Sequence, residues 1–185
     1  MRSIVLIALL LSTSLMAEEK KNFIIKKASD KVGVSGYYLG DVIPNELLTK
    51  HYTKTDNYNE FSISGHGFRD YSIISIETTP NTNKIYSISL NKENVVCSKE
   101  AKKTADILSS NFKHPYKRSE STDGNWLDYS FDFPNKKVFV SCFYYGYNNK
   151  LYFFDDFIFN KAKQEGMENV KKRDDYWNRV STSKN

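Results

Sequence analysis

Between Glu60 and Phe154 the chain repeats one device, a run of β-branched, aromatic or alternating residues followed by a short polar turn. Such turns cannot bring the next strand back parallel, because a parallel crossover needs about a dozen residues or more. The sheet is therefore expected to be mainly antiparallel. Its clearest member is Trp126 to Phe133, where Leu127, Tyr129, Phe131 and Phe133 share one face and Asp128, Ser130 and Asp132 the other. Pro134-Asn135-Lys136 turns the chain into Lys137 to Tyr145, apolar on both faces and so expected inside the sheet. Gly146 to Asn149 reads as the next turn, before a strand over Leu151 to Phe154. Upstream, Glu60 to Ser64, Tyr71 to Thr78 and Lys84 to Leu90 read as strands, the last two a hairpin around Pro80-Asn81-Thr82-Asn83.

Helices punctuate this pattern. Pro44 suits the first turn of a short helix through Asn45 to Leu48, where its missing N–H is not needed. Ser98 is placed to cap a helix in which Ala101, Ala105, Leu108 and Phe112 line one stripe, with Pro115 beyond its end. A final polar helix is expected from about Asn160, weakened by Gly166 and frayed after Trp177. The expected order is short helix, three strands, helix, three strands, helix. That is an α+β fold, a mainly antiparallel β-sheet with helices packed on one face. The two strand groups invite comparison as halves of a duplication, but no residue-by-residue repeat links them.

The first seventeen residues read as a secretory signal peptide: Arg2 gives a positive start, Ile4 to Leu11 is apolar, and Ser12 to Ala17 is small and weakly polar. Cleavage after Ala17 leaves one domain of residues 18–185, with 18–31 and 178–185 expected to be loose. The apolar run falls short of the roughly 20 residues that span a bilayer, so no integral membrane anchor is expected in the mature form. The periplasm is the expected compartment. There Cys97 and Cys142, the two cysteines of the chain, are expected to form a disulfide. Their wide spacing in apolar, strand-like surroundings points to a structural bridge, not a redox motif. Loss of Arg2 lowers the formal charge from +5 to +4, and the lysines are dispersed. Solvated helix faces explain them better than a nucleic-acid interface, since an exported protein rarely meets nucleic acid.

No motif carries recognisable chemistry. His51, His66 and His114 lack a second ligand at metal-binding spacing, there is no G-x-S-x-G elbow, and no cofactor is implied. Asp155 and Asp156 are adjacent and would point to opposite faces of a strand, so they are expected to end it and cap the next segment. The candidate partner-binding residues are His66, between two glycines, with nearby Arg69, and Tyr147, Asn148 and Asn149 in the turn of an aromatic hairpin. That hairpin carries Tyr144, Tyr145, Tyr147 and Tyr152, with Phe153, Phe154, Phe157 and Phe159 just beyond it.

The expected function is a non-enzymatic periplasmic protein that binds another envelope macromolecule, a protein being the expected partner. Alternatives are an inhibitor or immunity-type protein against a cell-wall hydrolase, and a small envelope hydrolase. The export reading has a direct check. Mass spectrometry of protein from the periplasmic fraction should give a chain beginning at Glu18, and an N-terminus that retains Met1 would refute cleavage.

Overall fold

A computed structural model of the chain describes residues 32–50, 52–63, 70–93, 95–143 and 148–182, except for the side chains of 73 and 74. The signal segment 1–17 and the lead-in 18–31 lie outside the described residues. The chain opens with a small hairpin of β1 (Gly33–Val34) and β2 (Tyr37–Tyr38), followed by the four-residue α1 (Asn45–Leu48). Ser35 and Gly36 both have positive φ, 53° and 88°, which is the backbone a tight two-residue hairpin turn demands.

Two four-stranded meanders come next. The first comprises β3 (Thr53–Lys54), β4 (Asn59–Ser62), β5 (Ser72–Thr78) and β6 (Ile85–Lys92). Helix α2 (Cys97–Phe112) separates it from β7 (Lys117–Glu120), β8 (Trp126–Phe133), β9 (Lys136–Phe143) and β10 (Asn148–Asp155). The long α3 (Asp156–Thr182) closes the described chain. All eight strands join one sheet in the order β3-β4-β5-β6-β10-β9-β8-β7, each neighbour antiparallel. The α+β class and the antiparallel sheet are thus as expected. Each half is a helix followed by a meander, and the two last strands pair in the middle. The strand order is therefore symmetric about the β6–β10 pair.

Each half has one more strand than the sequence reading assigned. β3 is two exposed residues, and β7 is the wholly exposed run Lys-Arg-Ser-Glu. Neither has an apolar face to mark it, because both lie at sheet edges, where charge protects against further pairing. The expected turn at Gly146 to Asn149 ends sooner, since Asn148 and Asn149 already pair with Phe143 and Cys142 in β10. The Pro134-Asn135 turn is as read. Phe133 pairs with Lys136, and Asn135 takes φ 60° at the position where a proline-led tight turn requires it.

The core lies between the sheet and α2. Leu127, Tyr129 and Phe131 of β8, Val138 and Val140 of β9, Leu151 and Phe153 of β10, and Ile88 and Leu90 of β6 are all buried there. Ala101, Ala105 and Leu108 of α2 face them, and Leu47 of α1 joins the same cluster. Ser98 is not the cap of α2. The helix already begins at Cys97, and its N-cap position, Val96, makes no side-chain bond. The disulfide from Cys97 to Cys142, with Cα atoms 5.4 Å apart, anchors this helix end to β9 instead. Closing a loop of 45 residues, it is worth about 4 kcal/mol by unfolded-chain entropy.

Helix α3 is placed differently from α2. It starts at Asp156, four residues before the expected Asn160, because the Asp155 carboxylate accepts the Ile158 N–H at 2.9 Å and caps it. Its first turns pack Ile158 and Ala162 against Tyr86, with Phe154, Phe159 and Tyr58 around them. Phe154 points away from the main core, so these turns sit on the face opposite α2. The helix then crosses the turns at the end of the sheet. Glu165 accepts the N–H groups of Asn81 and Thr82 at 2.8 and 3.2 Å, Asn169 donates to the Asp56 carbonyl at 3.1 Å, and Arg173 pairs with Asp56. Gly166 does not break it, since a Cβ there would collide with Asn57, so the missing side chain is what allows the close approach. The helix continues through 178–182, which the sequence reading left loose.

Phe153 is fully buried under α2, whereas Trp177 on the projecting end of α3 is 61 % exposed. Urea unfolding of Phe153→Ala should therefore show a loss of about 3–5 kcal/mol. Trp177→Ala should stay within about 0.5 kcal/mol of wild type.

Candidate functional site

The sheet face opposite α2 can be read from strand register, because directly paired residues point to the same side. One row across it reads Ser75, Ser89, Tyr152, Phe139, Ser130. The next reads Asn91, Lys150, Ser141, Asp128, and beyond it Phe143 pairs with both Asn148 and Trp126. The row on the other side carries Glu60, Glu77, Ser87, Phe154, Lys137 and Asp132. Helix α3 meets this last row, at Phe154 and next to Tyr86.

The rows beyond α3 combine tall rings with small hydroxyls. Trp126, Phe139 and Tyr152 are half-buried by their neighbours and Phe143 is 40 % exposed. Ser89 and Ser141 lie between them as floors, only 8 % and 5 % exposed. Lys150 stands among the rings, its ammonium 5.5 Å from the centre of Phe143 and 6.0 Å from that of Tyr152. A cation near ring faces is attracted by their quadrupoles, by about 0.5–1 kcal/mol at an exposed site.

A β-bulge shapes the α3 side of the face. Ser87 pairs with Glu77 but Ile85 with Thr78, leaving Tyr86 as an extra residue. Ile85 and Ile88 consequently remain in the main core while Tyr86 joins Ser87 on the opposite face. The Tyr86 and Ser87 hydroxyls donate to the Glu77 carboxylate, which also lies directly across from Glu60. Burial raises the Glu77 pKa above its ordinary 4.5, the Glu60 charge adds to this, and the two hydrogen bonds only partly offset it. Burial, together with the smaller effect of the Glu77 charge, pushes the Tyr86 phenol far above its usual range.

The residues singled out from sequence fare unevenly. His66, Arg69 and Tyr147 lie outside the described residues, as do Tyr144 and Tyr145. Asn148 is half-buried at the start of β10. Asn149 is fully buried and donates to the Cys97 carbonyl at 3.4 Å, so it braces the helix start and offers nothing at the surface. Of the aromatic hairpin, Tyr152 reaches the open face, Phe153 the core, and Phe154 and Phe159 the small cluster under α3. Phe157 is exposed beneath the Lys161 ammonium, 4.6 Å from its ring centre. Trp126, Phe139, Phe143, Asp128 and Lys150 were not singled out. The alternation of β8 already set Asp128 apart from the core face, but only the pairing of β9 with β8 and β10 shows that these residues meet.

Among the described residues no three of His, Cys, Asp and Glu converge as metal ligands. A shallow groove of about 350 Å³ beside α3, lined by Asn57, Met167, Val170, Lys171, Asp174 and Asp175, holds no nucleophile with a base. No protein-family model, curated protein or solved structure matches the chain. No described helix is long and apolar enough to cross a membrane.

The Glu77 environment sets a pH dependence. The folded protein holds the Glu77 proton more tightly than the unfolded chain, so the contribution from this group is greatest below pH 4.5 and is lost as pH rises through the raised folded value. Glu77→Gln should remove that loss. In urea titrations the variant is expected to be more stable than wild type at neutral pH, with the gap closing by about pH 4.

Proposed function

We propose that the chain is a non-enzymatic periplasmic protein that binds another envelope protein on the sheet face opposite α2. One observation carries the reading. That face presents Trp126, Phe139, Phe143 and Tyr152 together, on strands β8, β9 and β10, outside the part that α3 covers. Rigid aromatics provide large contact area at low entropy cost and dominate binding energy at protein interfaces. The backing is stiff: Val138, Val140, Leu151 and Phe153 fill the other side, and the disulfide fastens α2 to β9 beneath the patch. A face held in one shape before binding loses little freedom on binding. The signal-peptide pattern read in residues 1–17 supports an envelope setting. Inhibition of a cell-wall hydrolase is one form this activity could take, with the enzyme as the bound protein.

The test is affinity capture from envelope extract with the oxidised, tagged mature protein, beside the Phe143→Asp, Tyr152→Asp double variant. Both positions point away from the core, so circular dichroism of the variant should match wild type. One stoichiometric partner, retained by wild type and lost by the variant, is the expected result. Undiminished capture by the variant would overturn the docking face, and turnover of an envelope substrate abolished by changing His66 would overturn the non-enzymatic reading.

A further inference from the structure

Lys150 differs from the other lysines on strands β6 to β10. Lys92 pairs with Glu100 at 2.9 Å, Lys117 with Asp132 at 2.8 Å, Lys136 with Asp155 at 3.7 Å and Lys137 with Asp156 at 3.0 Å. Lys150 has only the rings of Phe143 and Tyr152, and no carboxylate among the described residues. In its row the nearest acid is Asp128, two strands away across Ser141, or about 10 Å at ordinary strand spacing. The closer Glu93, just past β6, accepts from the amide of Asn91, the cross-strand neighbour of Lys150, at 3.1 Å. We infer that the protein segment docking on this face is a loop carrying an acidic side chain, Asp or Glu, that lands on Lys150 between Phe143 and Tyr152. The inference rests on the reading of this face as the docking surface.

The charge balance selects that occupant. A wholly apolar loop would cover the ammonium and leave it unpaired, which is strongly unfavourable. A basic loop would be repelled. An acidic side chain meets a cation drawn toward two rings, and the loss of water on docking strengthens the pair. Ser141 and Ser89, low between the rings, leave room for the apolar side chains that flank the acid. An anionic lipid surface fits less well. It would bring a plane of negative charge against a face that also carries Glu60, Glu77, Asp128 and Asp132, whereas a loop brings one carboxylate to one point.

The test uses the oxidised full-length mature protein, ¹⁵N-labelled, titrated with three capped peptides: acetyl-Leu-Glu-Phe-amide and its Gln and Lys counterparts. The Glu peptide should shift amides of β8, β9 and β10 and bind about tenfold more tightly than the Gln peptide, with the Lys peptide weakest. Lys150→Gln should erase the preference for Glu, and Asp128→Asn should preserve or sharpen it. Equal binding of Glu and Gln peptides, a preference that survives Lys150→Gln, shifts confined to other strands, or no shift at about 10 mM peptide would overturn the inference. Tighter binding to vesicles rich in phosphatidylglycerol than to the peptide would overturn it in favour of a lipid. Its failure is separable from failure of the docking face. A captured envelope partner lost with Phe143→Asp but retained with Lys150→Glu leaves the face standing and removes the acidic loop. Retention by both variants removes the face itself.

Discussion

β6 and β10 pair at the middle of the sheet, and without that pairing the chain would be two separate four-stranded meanders. The register sets Leu90 against Leu151 and Ile88 against Phe153, all four buried beneath the helical layer. These strands are far apart in sequence, so their meeting carries a loop-closure cost that local hairpins do not. Two features lie on the seam and offset it. Cys97 lies a few residues after β6 and is bonded to Cys142, the partner of Asn149 in β10. Asn149 in turn donates to the Cys97 carbonyl. Covalent and polar contacts thus hold the start of α2 to the strands that complete the sheet.

The seam also makes the two faces different. On the α2 side, aliphatic and aromatic side chains from both meanders merge into one continuous core. The other side receives what remains of each alternation: serines, lysines, acids and the aromatics that the core did not take. The bulge at Tyr86 and the capped start of α3 cover only one end of it. Gly166 lets α3 run tight against the turn at Asn57, carrying the helix past the sheet end and not back over its middle. The rings of β8, β9 and β10 are left together as a stiff patch, with the ammonium of Lys150 against Phe143 and Tyr152. A surface of this composition, backed by a disulfide-held core, is the basis of the proposed docking role.

Much of the architecture was legible in the sequence because it depends on local periodicity. The limits of β8 coincide with the alternating run Trp126 to Phe133, and the stripe from Ala101 to Leu108 is the buried side of α2. Asp155 acts as the expected stop and cap. Missed features have equally local reasons. β3 and β7 are short, polar edge strands with no buried face, and their only signature is hydrogen bonding to a neighbour. Asn148 and Asn149 have turn composition, but pairing with β9 and β6 overrides it.

By itself the sequence determined that the chain alternates turns with strands too closely to form a parallel sheet, that one amphipathic helix divides them, and that two cysteines stand where a bridge could fasten helix to sheet. These properties depend on spacing along the chain, which is visible without coordinates. Only the tertiary structure decided that the two meanders join through β6 and β10, that α3 takes the face opposite α2, and that Trp126, Phe139, Phe143 and Tyr152 share one face, with Lys150 against Phe143 and Tyr152. Those outcomes depend on inter-strand register, where a shift of one residue sends every side chain to the other face. Register is fixed by the packing of the whole core and not by any single segment, so the patch proposed to bind a partner becomes visible only once the sheet is assembled.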